Sequence, residues 1–407
     1  MTIKRVPAYL ALEDGSYFEG TSFGAARDTE GEFVFNTSMT GYQEILTDPS
    51  YKGQVVVMTV SHVGNYGIND DDPESDKPQV EGFVVREACH TPSSWRSRQS
   101  LPDYLERNGI AGIEGIDTRA LVLLLREKGA MRGVVSVGEK KRAKLVERAK
   151  SVTPIEKRDL VAEVTCKKAY EWEDPSKEVL SGQLLVGGEG GRLPNGPNGK
   201  EAQMRLNYKP EEKMPEGPFK VVLLDCGVKR NIMRSLAGLG CRVTVVPAFT
   251  TADEMLALKP DGIMLSNGPG DPDRLAKISS AVRGIIGKVP VFGICLGHQM
   301  VGKALGASTY KLKFGHHGGN QPVIHLPTGT VAITSQNHNF AVDDKTLPAS
   351  AEVTHLNLND RTVEGLKHKE APLFTVQYHP EAAPGPHDAA PLFRQFIRMI
   401  AAHQGVS

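Results

Sequence analysis

Between Pro218 and Gly306 the sequence alternates short apolar runs with segments of helical period, and this alternation restricts the fold more than any other feature. "FKVVLLDCG", "CRVTVVP", "DGIMLSNG" and "VPVFGI" have the length and apolar character of strands buried on both faces. "VKRNIMRSLAGLG", "TADEMLALKP" and "DRLAKISSAVRGIIG" lie between them and read as helices. Strands joined by helices imply right-handed crossovers and a parallel sheet covered on both sides. In such sheets ligands gather at the carboxyl ends of the strands. Two unusual stretches fall there: "LSNGPGDP" at 265–272, and Cys295 directly after the last strand.

Gly293 and Gly297 flank Cys295 at i−2 and i+2, and "LGHQMVGKALG" continues as a helix closed by Gly306. That is the spacing of a strand-turn-helix nucleophile elbow, where small neighbours permit a sharp, strained turn. The turn lifts the sulfur out of the sheet and sets it near a helix N-terminus, whose dipole favours thiolate over thiol. A lone cysteine is more often a small buried hydrophobe, the expectation for Cys226 and Cys241. The paired glycines set Cys295 apart.

A thiol nucleophile needs a base. "FTVQYHPEAAPGPHDAA" puts His379 at the end of an apolar run, with Glu381 two residues on to orient the imidazole and stabilise its cation. His387 follows two prolines and is the weaker candidate, and His298, inside the elbow helix, is expected to pack. His316 and His317 are adjacent and lack the spacing of a helical metal pair, so no metal site is expected. An acyl oxyanion would take one backbone N–H from Leu296, the residue after the nucleophile. The glycines of "LSNGPGDP" make its turn the candidate for the other half of that hole.

The first part of the chain reads as mixed α and β. "AYLALEDGSYFEG" is a hairpin candidate around Asp14-Gly15, and "EFVFNT", "QVVVMTV" and "EGFVV" are strand candidates. Helices are expected after Ser100 and after Asp117, the second closed by Gly129. No catalytic set stands out in this half, whose expected task is structural or partner-facing. From about 165 to 217 the pattern weakens, and "GGEGGRLPNGPNGKE" at 187–201 has the composition of a flexible connection. The expected division is therefore 1–165, a linker at 166–217 that is Gly-rich at 187–199, and 218–407.

Bulk composition narrows the function classes. Lys plus Arg and Asp plus Glu number 48 each, and that balance argues against a nucleic-acid or anionic-membrane partner. The basic run "KKRAK" at 140–144 fits a solvated helix face better than a binding patch. The apolar run near the N-terminus is too short for a secretory signal, and no stretch has the length to span a bilayer. Five cysteines without CxxC spacing fit a reducing, cytoplasmic setting.

These residues together resemble the class I, or triad, glutamine amidotransferases, whose signature is a G-x-C-x-G-x-Q elbow with a distant H-P-E. "GICLGHQ" at 293–299 and "HPE" at 379–381 fit it without a gap. The first half narrows the resemblance. "NTSMTGYQEILTDPSY" at 36–51, "GIDTRAL" at 115–121, "KFGHHGGN" and "PGPHDAAPLF" are similar to the small, glutamine-hydrolysing chains of carbamoyl-phosphate synthases. The resemblance implies a C-terminal flavodoxin-like or Rossmann-like α/β amidotransferase domain preceded by a mixed α/β N-terminal domain. It makes Cys295 the nucleophile, His379 the general base and acid, and Glu381 its orienting partner. Gly268 and Leu296 would supply oxyanion N–H groups, with Gly270, Gln299, Asn337, Asn339 and Phe340 holding L-glutamine. Ser50 would reach across from the first half. Glycine is usual where Asn339 stands, and asparagine is the next most tolerant residue if φ there is positive.

No G-x-x-x-x-G-K-[ST] loop is present. No cofactor is then expected on this chain, and ATP and Mg would be used by a large synthetase subunit that receives the ammonia, in a heterodimer or a higher oligomer of heterodimers. Two other readings share the triad or the fold: an amidotransferase feeding another acceptor or a free glutaminase, and a noncatalytic scaffold subunit. The N-terminal segment counts against the first, and the intact Cys295, His379 and Glu381 against the second.

Overall fold

The computed structural model describes residues 6–173, 214–215 and 217–406. The Gly-rich stretch 187–199 lies outside them.

The first half closes into a seven-stranded barrel of β1 (Val6–Leu12), β2 (Tyr17–Gly24), β3 (Thr29–Asn36), β4 (Gln54–Met58), β5 (Gly82–Val84), β6 (Ala111–Glu114) and β7 (Met131–Ser136). The order around it is β1-β2-β6-β5-β4-β3-β7, with β7 returning to β1. The expected hairpin is β1–β2, turned where Gly15 takes φ 95° and Ser16 N–H donates to Asp14 Oδ1 at 2.9 Å. Side chains alternate as strands require. Phe33, Val55, Val57 and Val84 enter one apolar cluster with Leu121 and Leu125 of helix Thr118–Lys128. Val34, Val56 and Phe83 enter another with Tyr51, Leu101 and Leu105. The helices expected after Ser100 and Asp117 both form, and each of those side chains accepts the N–H three residues on.

The second half is a ten-stranded sheet. Its parallel core holds β9 (Lys220–Asp225), β10 (Arg242–Pro247), β11 (Gly262–Leu265), β12 (Val291–Ile294) and β17 (Leu373–Val376). Val221, Leu223, Met264 and Phe292 face helices Arg230–Gly238 and Pro391–Gln404. Val222, Leu224, Ile263 and Val291 face helices Ala252–Ala257, Ala276–Ile285 and Leu296–Leu305. This is the doubly covered parallel sheet that the sequence implied.

Two parts of the sheet were not legible in advance. Tyr170–Glu171, inside the segment expected to be a linker, adds an antiparallel edge strand (β8) to β10. Beyond β17 the sheet turns antiparallel through β13 (Thr309–His325), β14 (Thr330–Val342), β15 (Ala351–Asn357) and β16 (Val363–His368), in the order β8-β10-β9-β11-β12-β17-β16-β15-β13-β14. The β13–β14 hairpin is bulged at Lys311/His316 and Gly318/Gln321, which bends it onto the barrel. Thr37 N–H donates to His317 O at 3.2 Å and Ala130 N–H to Lys313 O at 2.9 Å. Lys311 Nζ sits 2.6 Å from both Glu32 and Glu156 carboxylates.

The run 140–144 precedes and opens helix Arg142–Ser151, and residues 141–144 are exposed, in keeping with a solvated face. Among the described residues no helix is long and apolar enough to cross a membrane.

Candidate active site

β12 ends at Ile294 and the helix begins at Leu296, leaving Cys295 alone to reverse the chain. It does so with φ 54° and ψ −104°, outside the ordinary wells of a non-glycine residue. The flanking glycines are required by space. A Cβ on Gly293 would come within 2.9 Å of the Gly297 backbone, and one on Gly297 within 2.4 Å of Leu265 O. Cys295 is buried, and its thiol donates to Asn337 O at 3.6 Å. Leu296 N–H is the first amide of the helix, so it has no carbonyl of the preceding turn to take it. At the end of β11, Gly268 is held so close that a Cβ would lie 2.1 Å from Cys226 O, and Gly270 takes φ 92°.

His379 follows β17 through a bridge to Ser335. Its Nδ1 lies 2.6 Å from Glu381 Oε1, so Nδ1–H donates to the carboxylate and Nε2 is left with no hydrogen-bond partner among the described residues. Both side chains are buried. Burial alone would lower the His379 pKa, but the negative charge of Glu381, and that of Cys295 when ionised, lift it to about 10. Burial would raise the Glu381 pKa, but the Lys229 and His379 cations pull it down to about 2. Lys229 is itself buried, with Nζ 3.1 Å from Glu381 Oε1 and a further bond to Ala382 O. Glu74 joins the group from the barrel side. It accepts Asn231 N–H at 3.0 Å, and burial holds its carboxyl up at about 7.

Ser50, Gly268, Gly270, Cys295, Gln299, Asn337, Asn339 and Phe340 line one cleft of about 360 Å³ empty volume, with Lys52, Gln54, Ile155, Pro269 and His338. His379 and Glu381 are not among its lining residues, and the His379 side chain interacts with that of Cys295. Asp48 fastens this cleft across the two halves. Its Oδ2 accepts Asn337 Nδ2 at 2.8 Å, and its Oδ1 accepts Ser50 N–H at 2.9 Å and Asn267 Nδ2 at 3.4 Å. Asn267 Nδ2 also donates to Ser50 Oγ at 2.9 Å. Gln299 Nε2 donates to Phe340 O at 2.8 Å and Gln377 Oε1 at 3.0 Å, which fixes the amide against β14.

Asn339 does not take the positive φ that a glycine-type position would carry. It lies in extended β14, and its Oδ1 pairs with His317 Nε2 at 3.0 Å. His317 also meets Asn337 Oδ1 at 2.9 Å, and burial pulls its pKa down to about 4. His298 packs in the core, bonded to Thr375 Oγ1 at 2.8 Å, with its pKa lowered by burial to about 3. Cys226 and Cys241 are buried as expected, and burial raises both thiols, Cys241 to about 12.

Among the described residues one group has metal-ligating composition: His316, His338 and Glu364 bring ligand atoms within 4.8 Å of one another. His316 is already paired, however, with Nε2 2.8 Å from Asp360 Oδ2 and Nδ1 3.6 Å from Glu364 Oε1. Asp48, Glu74, Lys229 and Asn267 escaped the sequence reading, and His317 was weighed there only as a metal ligand. A cation two residues past an apolar strand end and its glycine, in "LLDCGVK", was the available signal for Lys229.

A strained cysteine elbow on a parallel strand, with a buried histidine–carboxylate pair on a neighbouring one, defines an amidotransferase-type domain. The family model "Glutamine amidotransferase class-I" matches residues 222–399. A second, "Carbamoyl-phosphate synthase small chain, CPSase domain", matches residues 10–135. Carbamoyl phosphate synthase small chains from Aquifex aeolicus and Syntrophotalea carbinolica are 52% and 51% identical to it. Each alignment covers 97% of this chain, and 99% and 97% of those two. That of Archaeoglobus fulgidus is 48% identical over 97% of this chain and 98% of its own. The chain belongs to the carbamoyl-phosphate synthase small-chain family and is a glutamine amidotransferase.

Proposed function

We propose that this chain hydrolyses L-glutamine with a Cys295–His379–Glu381 triad and passes the ammonia to a synthetase large subunit. The observation that carries the reading is the buried 2.6 Å contact of His379 Nδ1 with Glu381, which leaves Nε2 for the Cys295 side chain with which the imidazole interacts. The side-chain carboxamide of glutamine enters that cleft, held by Ser50, Gly270, Gln299, Asn337, Asn339 and Phe340. The thiol proton passes to His379 Nε2 and the thiolate attacks the carboxamide carbon. The resulting oxyanion lies between the Leu296 and Gly268 N–H groups. His379 then gives its proton to the departing nitrogen, the C–N bond breaks, and ammonia leaves a γ-glutamyl thioester on Cys295. Water attacks that thioester, with its proton taken by His379, and glutamate leaves as the thiol is restored. Glu381 keeps the imidazole in one tautomer and stabilises its cation throughout.

The large subunit uses bicarbonate, ATP and Mg to make carbamoyl phosphate from the ammonia. We assign the chain to the cytoplasm, where the five free thiols remain reduced. The experiment is glutamate release by the purified chain, alone and with a carbamoyl-phosphate synthase large chain. Hydrolysis raised by the partner and coupled to carbamoyl phosphate supports the reading. Hydrolysis indifferent to the partner keeps the triad but removes the synthetase assignment. Loss of hydrolysis in Cys295→Ala is expected, and a variant that retains most activity overturns the triad.

A further inference from the structure

Glutamine brings two charges that the chemistry above does not use, an α-carboxylate and an α-ammonium at the end remote from its carboxamide. The wall of the cleft is sparing with charge. Among the described residues that line it there is no carboxylate, and His338 is neutral because burial drives its pKa well down. Apart from the thiol of Cys295, the one side chain in the wall with a formal charge is Lys52.

Lys52 is placed by the same turn that carries Ser50. Pro49–Tyr51 form a single 3-10 turn, and Lys52 closes it with its N–H donated to Pro49 O at 3.0 Å. Gly53 then takes φ 86°, and β4 begins at Gln54. Ser50, Lys52 and Gln54 thus arrive at one cleft. Lys52 Nζ lies 2.9 Å from Glu81 Oε1 and 3.8 Å from Glu163 Oε2, and a quarter of its side chain is exposed. Both carboxylates also reach solvent, and ion pairs of that kind add little to stability. An ammonium has three N–H donors, so a substrate carboxylate can join or displace these partners. A second feature marks this wall as built for an α-amino acid. Gln54 is buried, and its Oε1 is shut from solvent with no hydrogen-bond partner among the described residues. An unmet acceptor two residues from a lysine suits the other charge of the substrate, the ammonium.

We propose that Lys52 reads the α-carboxylate of L-glutamine, so that the cleft selects the free amino acid over glutamine blocked at that carboxyl, as within a peptide. The inference rests on the glutamine hydrolysis proposed above. Its test compares ammonia release by the full chain from L-glutamine and from the α-carboxamide of L-glutamine, which keeps the side-chain amide and lacks the negative charge. The parent should favour L-glutamine in kcat/KM by at least about tenfold, the worth of a hydrogen bond to a charged group. In Lys52→Met that preference should vanish through a raised KM for L-glutamine, with kcat within about twofold of the parent. Lys52→Arg should restore most of it. Glu81→Gln, which breaks the nearer ion pair of Lys52, should keep the parent's preference. A parent without the preference, or a Lys52→Met variant that retains it, overturns the assignment. So does a Lys52→Met variant that loses both substrates by the same factor, or a Glu81→Gln variant with the same defect, since Lys52 would then act only through the fold. Each of these outcomes leaves the proposed function standing. Absence of ammonia from either substrate in the parent overturns both.

Discussion

Lys229 Nζ stands 3.1 Å from Glu381 Oε1, with both side chains closed off from solvent. A buried ammonium thus holds the carboxylate that orients the active-site histidine, and Glu74 of the barrel half lies close enough to act on the same charge. Breaking a buried pair leaves an uncompensated charge and costs about 3–5 kcal/mol.

Lys229→Met should therefore lower stability in urea titration by an amount of that order. It should also change catalysis in a diagnostic way. Lys229 is the leading cation that holds the Glu381 pKa down at about 2. Without it that pKa rises, and the acid limb of the kcat/KM profile for glutamate release moves to higher pH. An acid limb in its original place would mean that Lys229 only supports the fold.

The elbow makes a prediction that depends on space alone. In Gly297→Ala the new Cβ would meet Leu265 O and Cβ, neither of which can yield without moving β11. Displacing the turn by a few tenths of an ångström misaligns thiol and oxyanion donors together. Glutamate release should fall by about 10²–10³, the cost of losing an oxyanion donor, while substrate binding changes less. Steady-state kinetics on a folded variant would decide it.

Asp48 carries the junction between the two halves through Asn337 and Asn267, and holds its own turn through the Ser50 amide. Asp48→Ala leaves Asn337 Nδ2 and the Ser50 N–H without an acceptor, at roughly 1–3 kcal/mol each if nothing relaxes, while Asn267 Nδ2 keeps Ser50 Oγ. Because Ser50 and Asn337 line the cleft, the loss should appear chiefly as a raised KM for glutamine, with kcat less affected. A kcat defect with unchanged KM would place Asp48 in the chemistry instead.

The parallel core, the elbow and the His379–Glu381 pair were legible because each is encoded locally: an apolar run, a pair of glycines, a two-residue spacing. Barrel closure was not, since it depends on β7 returning to β1 across the whole first half. The β13–β14 hairpin was missed because its strands are long, polar and bulged, so their burial pattern does not alternate cleanly. The backbone at Asn339 was left open in the sequence for a related reason. A positive φ there was only a condition to be met, and the strand is extended at that position, with the side chain bonded to His317. Lys229 and Asp48 act on partners roughly 150 to 290 positions away, which no spacing rule reaches.

His316 offers a test of electrostatics away from the triad. Burial would lower its pKa, but the Asp360 and Glu364 carboxylates lift it to about 9. A histidine whose folded pKa exceeds its unfolded value of about 6.5 stabilises the fold fully below that value. That stability is lost as pH rises through about 9. Asp360 is depressed by the same contact, so its share is present above the unfolded carboxylate pKa and is lost only at lower pH. His316→Gln removes the cation and keeps a polar side chain. The parent should exceed it in unfolding free energy by the largest margin near pH 6, and the margin should shrink steadily between pH 7 and 9.5. Parallel urea titrations across that range measure it, and a margin independent of pH would mean that His316 is neutral and contributes by packing alone.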